Sequence, residues 1–180
     1  AMVETARTYG GGAVAVEDTV TGTLTRKRLL ISARVLGRRF AAITEPGEAV
    51  GVLLPNANGA VVTFFGLQSG GRIAAMLNYT SGPANIASAV RTAKIRTIVS
   101  SRAFIEKAEL GDLVTAIDGT GAKILWLEEV RETISTQEKL EAALLWSRPL
   151  HPVKPEDAAV ILFTSGSEGT PKGVVLSHCN

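Results

Sequence analysis

Two apolar runs near the carboxyl end of the chain enclose the segment Thr164-Ser165-Gly166-Ser167-Glu168-Gly169-Thr170-Pro171-Lys172-Gly173. The runs, residues 158–163 and 173–177, have the character of β-strands, so the pattern predicts a hairpin with a polar loop. Glycines let the loop backbone adopt positive φ and bring N–H groups close to an anion. Hydroxyl side chains add uncharged donors, and Lys172 adds a mobile cation. The sequence therefore predicts a phosphate-binding hairpin.

The hairpin differs from a Walker A loop. That motif needs a Gly-Lys-Ser/Thr triplet at the start of a helix, so that the helix N-terminus holds the phosphates. Here Pro171 precedes Lys172, Gly173 follows it, and β-branched residues come next. We therefore expect a flexible flap that acts on phosphates without a helix dipole.

Length and composition restrict the class of protein. A chain of 180 residues with 46% apolar residues can form a single domain with a sizeable core. A net charge of +2 is too small to indicate nucleic-acid binding. Cys179 is the only cysteine, which excludes an internal disulfide and suits a reducing compartment, and no Cys/His spacing indicates a metal site. No apolar run reaches the length of about 18 residues that a membrane span needs.

Strand and helix patterns alternate about five times along the chain. This alternation predicts an α/β fold with a mostly parallel sheet built from repeated βαβ units. Strands are expected at residues 14–19, 49–54, 73–77, 95–99, 123–127, 157–163 and 173–177. Helices are expected after Thr25, through 61–67, from 83 to 93, from 102 to 118 with an interruption near Gly111, and from 136 to 146. Three prolines in residues 147–155 indicate an extended connector, and residues 1–13 are expected to be a tag remnant and linker.

The helix after Thr25 has two different faces. Thr25 is placed as its N-cap, and an apolar stripe predicts a core face composed of Leu29, Ala33, Leu36 and Phe40. The other face carries six cations: Arg26, Lys27, Arg28, Arg34, Arg38 and Arg39. Two interpretations stay open, a solvated face or a docking surface for an acidic carrier protein or anionic lipid.

Four further side chains were considered. Trp126 and Trp146 fall on apolar faces and are expected in the core. His178 ends the second strand of the hairpin, where it is either structural or exposed, or able to reach a phosphate or an acyl group. Glu168 is unusual because a carboxylate repels phosphate, so it either points outward or meets Mg²⁺ or a backbone N–H; the sequence does not decide.

The loop resembles the signature phosphate loop of the adenylate-forming superfamily. This superfamily includes acyl-CoA and acyl-carrier-protein ligases, luciferases and the adenylation domains of peptide synthetases. The longer string from Ile161 to His178 is similar to the ligase part of the bacterial bifunctional acyl-[acyl-carrier-protein] synthetase / 2-acylglycerophosphoethanolamine acyltransferase. The resemblance implies that residues 1–180 are the first part of an N-terminal AMP-binding (adenylation) domain.

The resemblance also implies a chemistry. A fatty acid is activated with ATP and Mg²⁺ as an acyl-adenylate and passed to the thiol of acyl-carrier protein or CoA, for phospholipid acylation. The β- and γ-phosphates would be held by Thr164, Ser165, Gly166, Ser167, Glu168, Gly169, Thr170 and Lys172. The family's catalytic lysine, metal-binding glutamate, adenine-binding residues and hinge are expected beyond residue 180, so the chain alone is expected to be inactive.

Partners and location follow as expectations. The segment is expected in the cytoplasm, with its parent associated with the bacterial inner membrane and in reach of an anionic membrane surface. Nucleic acid is not expected as a partner, and the isolated chain is expected to self-associate. Two alternatives from another class stay open: a non-catalytic nucleotide-binding module, and an interaction module that docks an acidic protein.

Overall fold

The computed structural model describes residues 2–19, 21–164 and 171–179. Its helices are α1 (Met2–Thr8), α2 (Arg26–Ala41), α3 (Asn58–Ser69), α4 (Pro83–Thr92), α5 (Arg102–Lys107), α6 (Gly111–Asp118), α7 (Leu127–Glu132) and α8 (Thr136–Leu144). Its strands are β1 (Val14–Asp18), β2 (Gly22–Thr25), β3 (Ala49–Val52), β4 (Ile73–Met76), β5 (Thr97–Ser100), β6 (Lys123–Trp126), β7 (Ala158–Thr164) and β8 (Lys172–Ser177). Within these ranges no helix is both long and apolar enough to cross a membrane.

The main sheet has six strands in the order β6-β5-β3-β4-β7-β8. The first five run parallel, joined by helical crossovers, and β8 pairs antiparallel with β7. Strands β1 and β2 form a separate antiparallel pair. The predicted α/β fold with a mostly parallel sheet is confirmed, and so is the hairpin at residues 158–177.

Helices cover both faces of the sheet. On one face, α4 and α6 pack against the strands through a cluster that includes Ile86, Ile98 and Ile117. On the other face, α2, α3 and α7 contribute to a second cluster around Phe40, Val50 and Leu67. The predicted core stripe of α2 is confirmed, because its four members are all buried. Its predicted cap is confirmed too, since the Thr25 hydroxyl accepts a hydrogen bond from the backbone N–H of Arg28.

The start of α3 is held by a residue from the β1–β2 hairpin. The N-cap position is Ala57, whose side chain cannot accept a hydrogen bond. Asp18 takes that role, because its Oδ2 accepts from the backbone N–H of Asn58 at 3.1 Å and from the Thr21 hydroxyl at 2.5 Å. The Asn58 amide donates to Thr21 Oγ1 and to the Gly22 carbonyl, each at 2.8 Å. These bonds fix the hairpin against the carboxyl end of β3.

Two of the six cations on the basic face of α2 pair with carboxylates of α8. Arg38 forms an ion pair with Glu141, and Arg39 forms one with Glu138 at 2.6 Å. Hydrogen bonds from Ser135 lower the pKa of the Glu138 carboxyl, which keeps this partner ionised. For Arg38 and Arg39 the solvated-face interpretation is incomplete, because side chains that remain 38% and 31% exposed also pair with carboxylates from an element about 100 residues later in the chain. The docking interpretation stays a prediction.

Arg34, another cation of this face, is buried. Only 8% of its surface is exposed, and its guanidinium donates a hydrogen bond to the Arg148 carbonyl in the connector. Burial lowers the pKa of this guanidinium, with the nearby Arg38 charge acting in the same direction. Arg34 therefore fastens the proline-containing connector to α2 and is unavailable to an acidic partner.

Three further expectations need correction. Residues 2–8, expected as linker, form α1, and Ala6 of that helix is buried. The segment after β6 forms the short helix α7, which we did not predict. Trp126 and Trp146 are only half-buried, and Trp126 lies under the Arg102 guanidinium at 4.6 Å from the ring centroid. A cation above an indole face stabilises this partly exposed position.

The β7–β8 edge of the sheet presents apolar side chains to solvent. Leu162 is 41% exposed, Val174 is 43% exposed and Val175 is 59% exposed. Leu162 and Val174 are cross-strand partners and share one face of the sheet. Because an exposed apolar edge strand pairs readily with another chain, we expect the 180-residue chain to self-associate. Light scattering at micromolar concentration should show dimers or larger species that Val174→Lys shifts toward monomer; a wild-type monomer would contradict this.

Candidate functional site

The two residues that flank the predicted phosphate loop lie at the carboxyl edge of the sheet. Strand β7 ends at Thr164 and β8 begins at Lys172, and these two residues are cross-strand partners. The Thr164 hydroxyl reaches the Lys172 carbonyl at 3.5 Å, so the two ends of the loop are held together. Residues 165–170 lie outside the described residues, and the roles predicted for Ser165, Gly166, Ser167, Glu168, Gly169 and Thr170 stay predictions.

The chain connections open a crevice beside this loop. After β4 the chain crosses over β3 to reach β5, whereas after β7 it turns outward to β8. Where connections from neighbouring parallel strands leave in opposite directions, a crevice forms at the strands' carboxyl ends, and open α/β sheets bind ligands there. A cavity of about 390 Å³ occupies this place. It is lined by Leu77, Asn78, Ser81, Asn85, Ile86, Ala89, Phe163, Thr164 and Pro171.

Two asparagines give the crevice its polar wall. Asn78 lies two residues beyond the carboxyl end of β4. Its Oδ1 accepts from the Thr80 backbone N–H at 3.1 Å and from the Thr80 hydroxyl at 2.9 Å. Asn85, in the first turn of α4, donates its amide to the Ser81 carbonyl at 2.8 Å. We did not select these residues from the sequence. The signal that could have found Asn78 is a polar residue within two positions of the end of a buried parallel strand.

The donors at this edge suit a polyphosphate. Thr164 brings a hydroxyl and Lys172 an exposed ammonium group, and the intervening sequence holds two glycines and three hydroxyl residues. Such neutral and cationic donors match phosphate oxygens. For Mg²⁺ the protein offers less: within 2–19, 21–164 and 171–179, no three His, Cys, Asp or Glu side chains come together. A magnesium ion here would depend on phosphate oxygens and water, as Mg²⁺ commonly does.

His178 does not belong to this site. Strand β8 runs antiparallel to β7, so it begins at the carboxyl edge of the sheet and ends at the opposite edge. There the backbone N–H of His178 donates to the Asp157 carbonyl at 3.2 Å. Six residues of extended chain separate His178 from Lys172, which corresponds to about 20 Å. The idea that His178 reaches a phosphate bound at the loop is therefore wrong.

Comparison with known proteins assigns nearly the whole chain to one family. A sequence model described as "AMP-binding enzyme" matches residues 2–180. The chain is 29% identical over 156 residues to a 4-coumarate–CoA ligase of Pinus taeda, covering 83% of this chain and 27% of the relative. It is 27% identical over 158 residues to the medium/long-chain-fatty-acid–CoA ligase FadD6 of Mycobacterium tuberculosis, covering 81% and 24%. The chain thus spans about a quarter of the length of these relatives.

A solved structure supports the fold. The inhibitor-bound N-terminal domain of FACL13 from Mycobacterium tuberculosis superposes with a TM-score of 0.76 at 21% identity, covering 98% of this chain and 43% of that one. The architecture therefore matches the N-terminal domain of adenylate-forming enzymes, as the sequence predicted. With the family model matching from α1 to the end of the hairpin, the chain belongs to the AMP-binding enzyme family.

Proposed function

We propose that this chain is the first part of an ATP-dependent, AMP-forming fatty acid ligase. The parent protein activates a fatty acid as an acyl-adenylate and passes the acyl group to the thiol of acyl-carrier protein or CoA. It works in the cytoplasm at the bacterial inner membrane, where the acyl group serves phospholipid acylation. The similarity to a medium/long-chain-fatty-acid–CoA ligase supports a fatty acid as the activated acid. The carrier-protein and phospholipid parts of the proposal come from the sequence resemblance of residues 161–178 alone.

One observation carries the proposal: the hydroxyl- and glycine-containing loop is anchored by Thr164 and Lys172 at the divergent connection between β4 and β7. Bound ATP supplies the α-phosphorus that the fatty acid carboxylate attacks, with pyrophosphate as the leaving group. Lys172 balances negative charge on the departing phosphates, and the Thr164 hydroxyl orients them. Such reactions depend on positioning and charge neutralisation, which this edge of the sheet provides.

The two modules that the sequence left open receive less support. The acidic-protein-docking module needs free cations on α2, and three of the six, Arg34, Arg38 and Arg39, already contact the connector or α8. Exposed Lys27 and Arg28 leave a smaller basic surface for such a partner. The non-catalytic nucleotide-binding module uses the same loop, so only a reaction assay separates it from a ligase.

A transfer assay tests the proposal. The polypeptide that carries this chain together with the family's remaining segments is incubated with ATP, Mg²⁺ and a fatty acid, and then with acyl-carrier protein or with CoA. We expect acylation of one of the two thiols with a long-chain fatty acid, and much less with 4-coumarate. Preference for 4-coumarate, or ATP turnover without acyl transfer to either thiol, would contradict the assignment.

A further inference from the structure

The crevice beside Thr164 contains a hydrogen-bond donor that has no role in the reaction described so far. In the described part of the chain, four polar side chains line the crevice: Asn78, Ser81, Asn85 and Thr164. The Ser81 hydroxyl donates to the Asn78 carbonyl at 2.7 Å, and the Asn85 amide donates to the Ser81 carbonyl at 2.8 Å. The Thr164 hydroxyl donates to the Lys172 carbonyl at 3.5 Å. The amide nitrogen of Asn78 has no acceptor among the described residues.

The orientation of the Asn78 amide follows from its two hydrogen bonds to Thr80. A backbone N–H can only donate, so the amide atom that faces the Thr80 N–H at 3.1 Å is the oxygen Oδ1. The same Oδ1 accepts from the Thr80 hydroxyl at 2.9 Å. Both N–H donors of Nδ2 are therefore left for another acceptor. Asn78 is exposed, so a bound ligand can reach these donors.

Asn78 and Thr164 lie next to each other at the carboxyl edge of the sheet. Strands β4 and β7 are parallel neighbours, and Met76 is the Cα partner of Leu162. Two residues further along each segment, this register places Asn78 beside Thr164. Neighbouring strands are about 4.8 Å apart, so one phosphate group can contact both side chains. Both residues line the same crevice, and Thr164 is the first residue of the predicted phosphate loop.

We propose that Asn78 is a further phosphate-binding residue, whose amide N–H groups donate to the same phosphate group that the Thr164 hydroxyl contacts. This role rests on the proposed function, because it needs a polyphosphate at the loop. The amide is uncharged, so it holds and orients the phosphate through hydrogen bonds and leaves charge neutralisation to Lys172. A hydrogen bond to a charged acceptor changes a binding constant by about 10- to 150-fold.

Calorimetric titration with magnesium pyrophosphate tests this role without catalysis. The polypeptide that contains this chain and the family's remaining segments is compared with its Asn78→Asp variant. The new carboxylate keeps an oxygen for both Thr80 donors but places an anionic oxygen where the N–H donors were. We expect Asn78→Asp to weaken pyrophosphate binding at least about tenfold and to leave fatty acid binding unchanged. Wild-type affinity for pyrophosphate in this variant would overturn the proposal.

Two control variants separate the hydrogen bond from added charge and from a change in the turn. Asn56→Asp makes the same substitution at an exposed asparagine shortly after β3, the strand beside β4, and Asn56 does not line the crevice. Thr80→Val removes the hydroxyl bond to Oδ1 and keeps the amide donors of Asn78. Both variants should bind pyrophosphate nearly as tightly as the wild type. A loss in either control as large as that in Asn78→Asp would refute a direct contact.

The outcomes also distinguish the role of Asn78 from the proposed function. If Lys172→Ala loses pyrophosphate binding and Asn78→Asp keeps it, the proposed function stands and the role of Asn78 is wrong. If the wild-type polypeptide binds no pyrophosphate, the loop is not a phosphate site and both are wrong. If Asn78→Asp weakens pyrophosphate binding but no fatty acid is activated, the role of Asn78 holds and the choice of acid is wrong.

Discussion

Lys172→Ala is expected to slow fatty-acid-dependent ATP–pyrophosphate exchange by about 10²–10³-fold, measured in the polypeptide that contains this chain and the family's remaining segments. Lys172 is the first residue of β8, opposite Thr164. In the proposed reaction, negative charge would develop on the departing phosphates beside its ammonium group. A contact that strengthens as charge develops in the transition state contributes about 2.7–4 kcal/mol. Fatty acid binding, measured separately by calorimetry, should change little.

Lys154→Ala provides the control for this experiment. Lys154 is an exposed lysine of the proline-containing connector and has no role in the crevice. Its removal changes the net charge by the same amount and should leave exchange at the wild-type rate. A Lys172→Ala variant that exchanges pyrophosphate as fast as Lys154→Ala would show that the lysine does not act on the phosphates.

Gly37→Ala is expected to lower the free energy of unfolding by about 2 kcal/mol. Helices α2 and α3 cross with two glycines in contact, and a Cβ at Gly37 would lie 2.7 Å from the Gly66 carbonyl oxygen and 2.9 Å from Leu150 Cδ1. The carbonyl belongs to the helix backbone and cannot move aside independently. Overpacking of this kind costs up to about 3 kcal/mol, and about 1 kcal/mol of improved helix propensity offsets part of it. Urea denaturation measures the difference.

Gly59→Ala is the matched control on α3. A Cβ at Gly59 would have only Leu127 Cδ1 nearby, at 3.8 Å, an ordinary van der Waals contact. This variant should keep or slightly raise the free energy of unfolding, by up to about 1 kcal/mol. If Gly37→Ala proved as stable as Gly59→Ala, the close approach of α2 and α3 would not be a determinant of the fold.

Much of the fold could be predicted because its signals are local. The hydroxyl of Thr25 and the apolar stripe of α2 act within a few residues, so the cap and the buried face were found correctly. The parallel strands were recognisable as continuous apolar runs, since strands buried on both faces show little alternation. The Thr164–Lys172 hairpin was also visible in sequence, because its glycines and hydroxyl residues are adjacent.

The features that sequence analysis missed depend on contacts between distant segments. Arg39 meets its carboxylate partner Glu138 only when α8 folds onto α2, so no local pattern in the sequence indicates this ion pair. Asp18 caps α3 from 40 residues away, which no local rule detects. The role of His178 stayed open between a structural one and reach to a bound ligand, although the predicted hairpin already implies that β8 runs away from the loop and carries His178 to the opposite edge of the sheet.

The central claim is that the Thr164–Lys172 hairpin serves an AMP-forming reaction on a fatty acid. The most direct test uses the polypeptide that contains this chain and the family's remaining segments. It is incubated with ATP, Mg²⁺ and fatty acid, and phosphorus NMR identifies the products. The account predicts AMP and pyrophosphate, formed only when the fatty acid is present. Formation of ADP and inorganic phosphate, or AMP formation that does not depend on the acid, would contradict it.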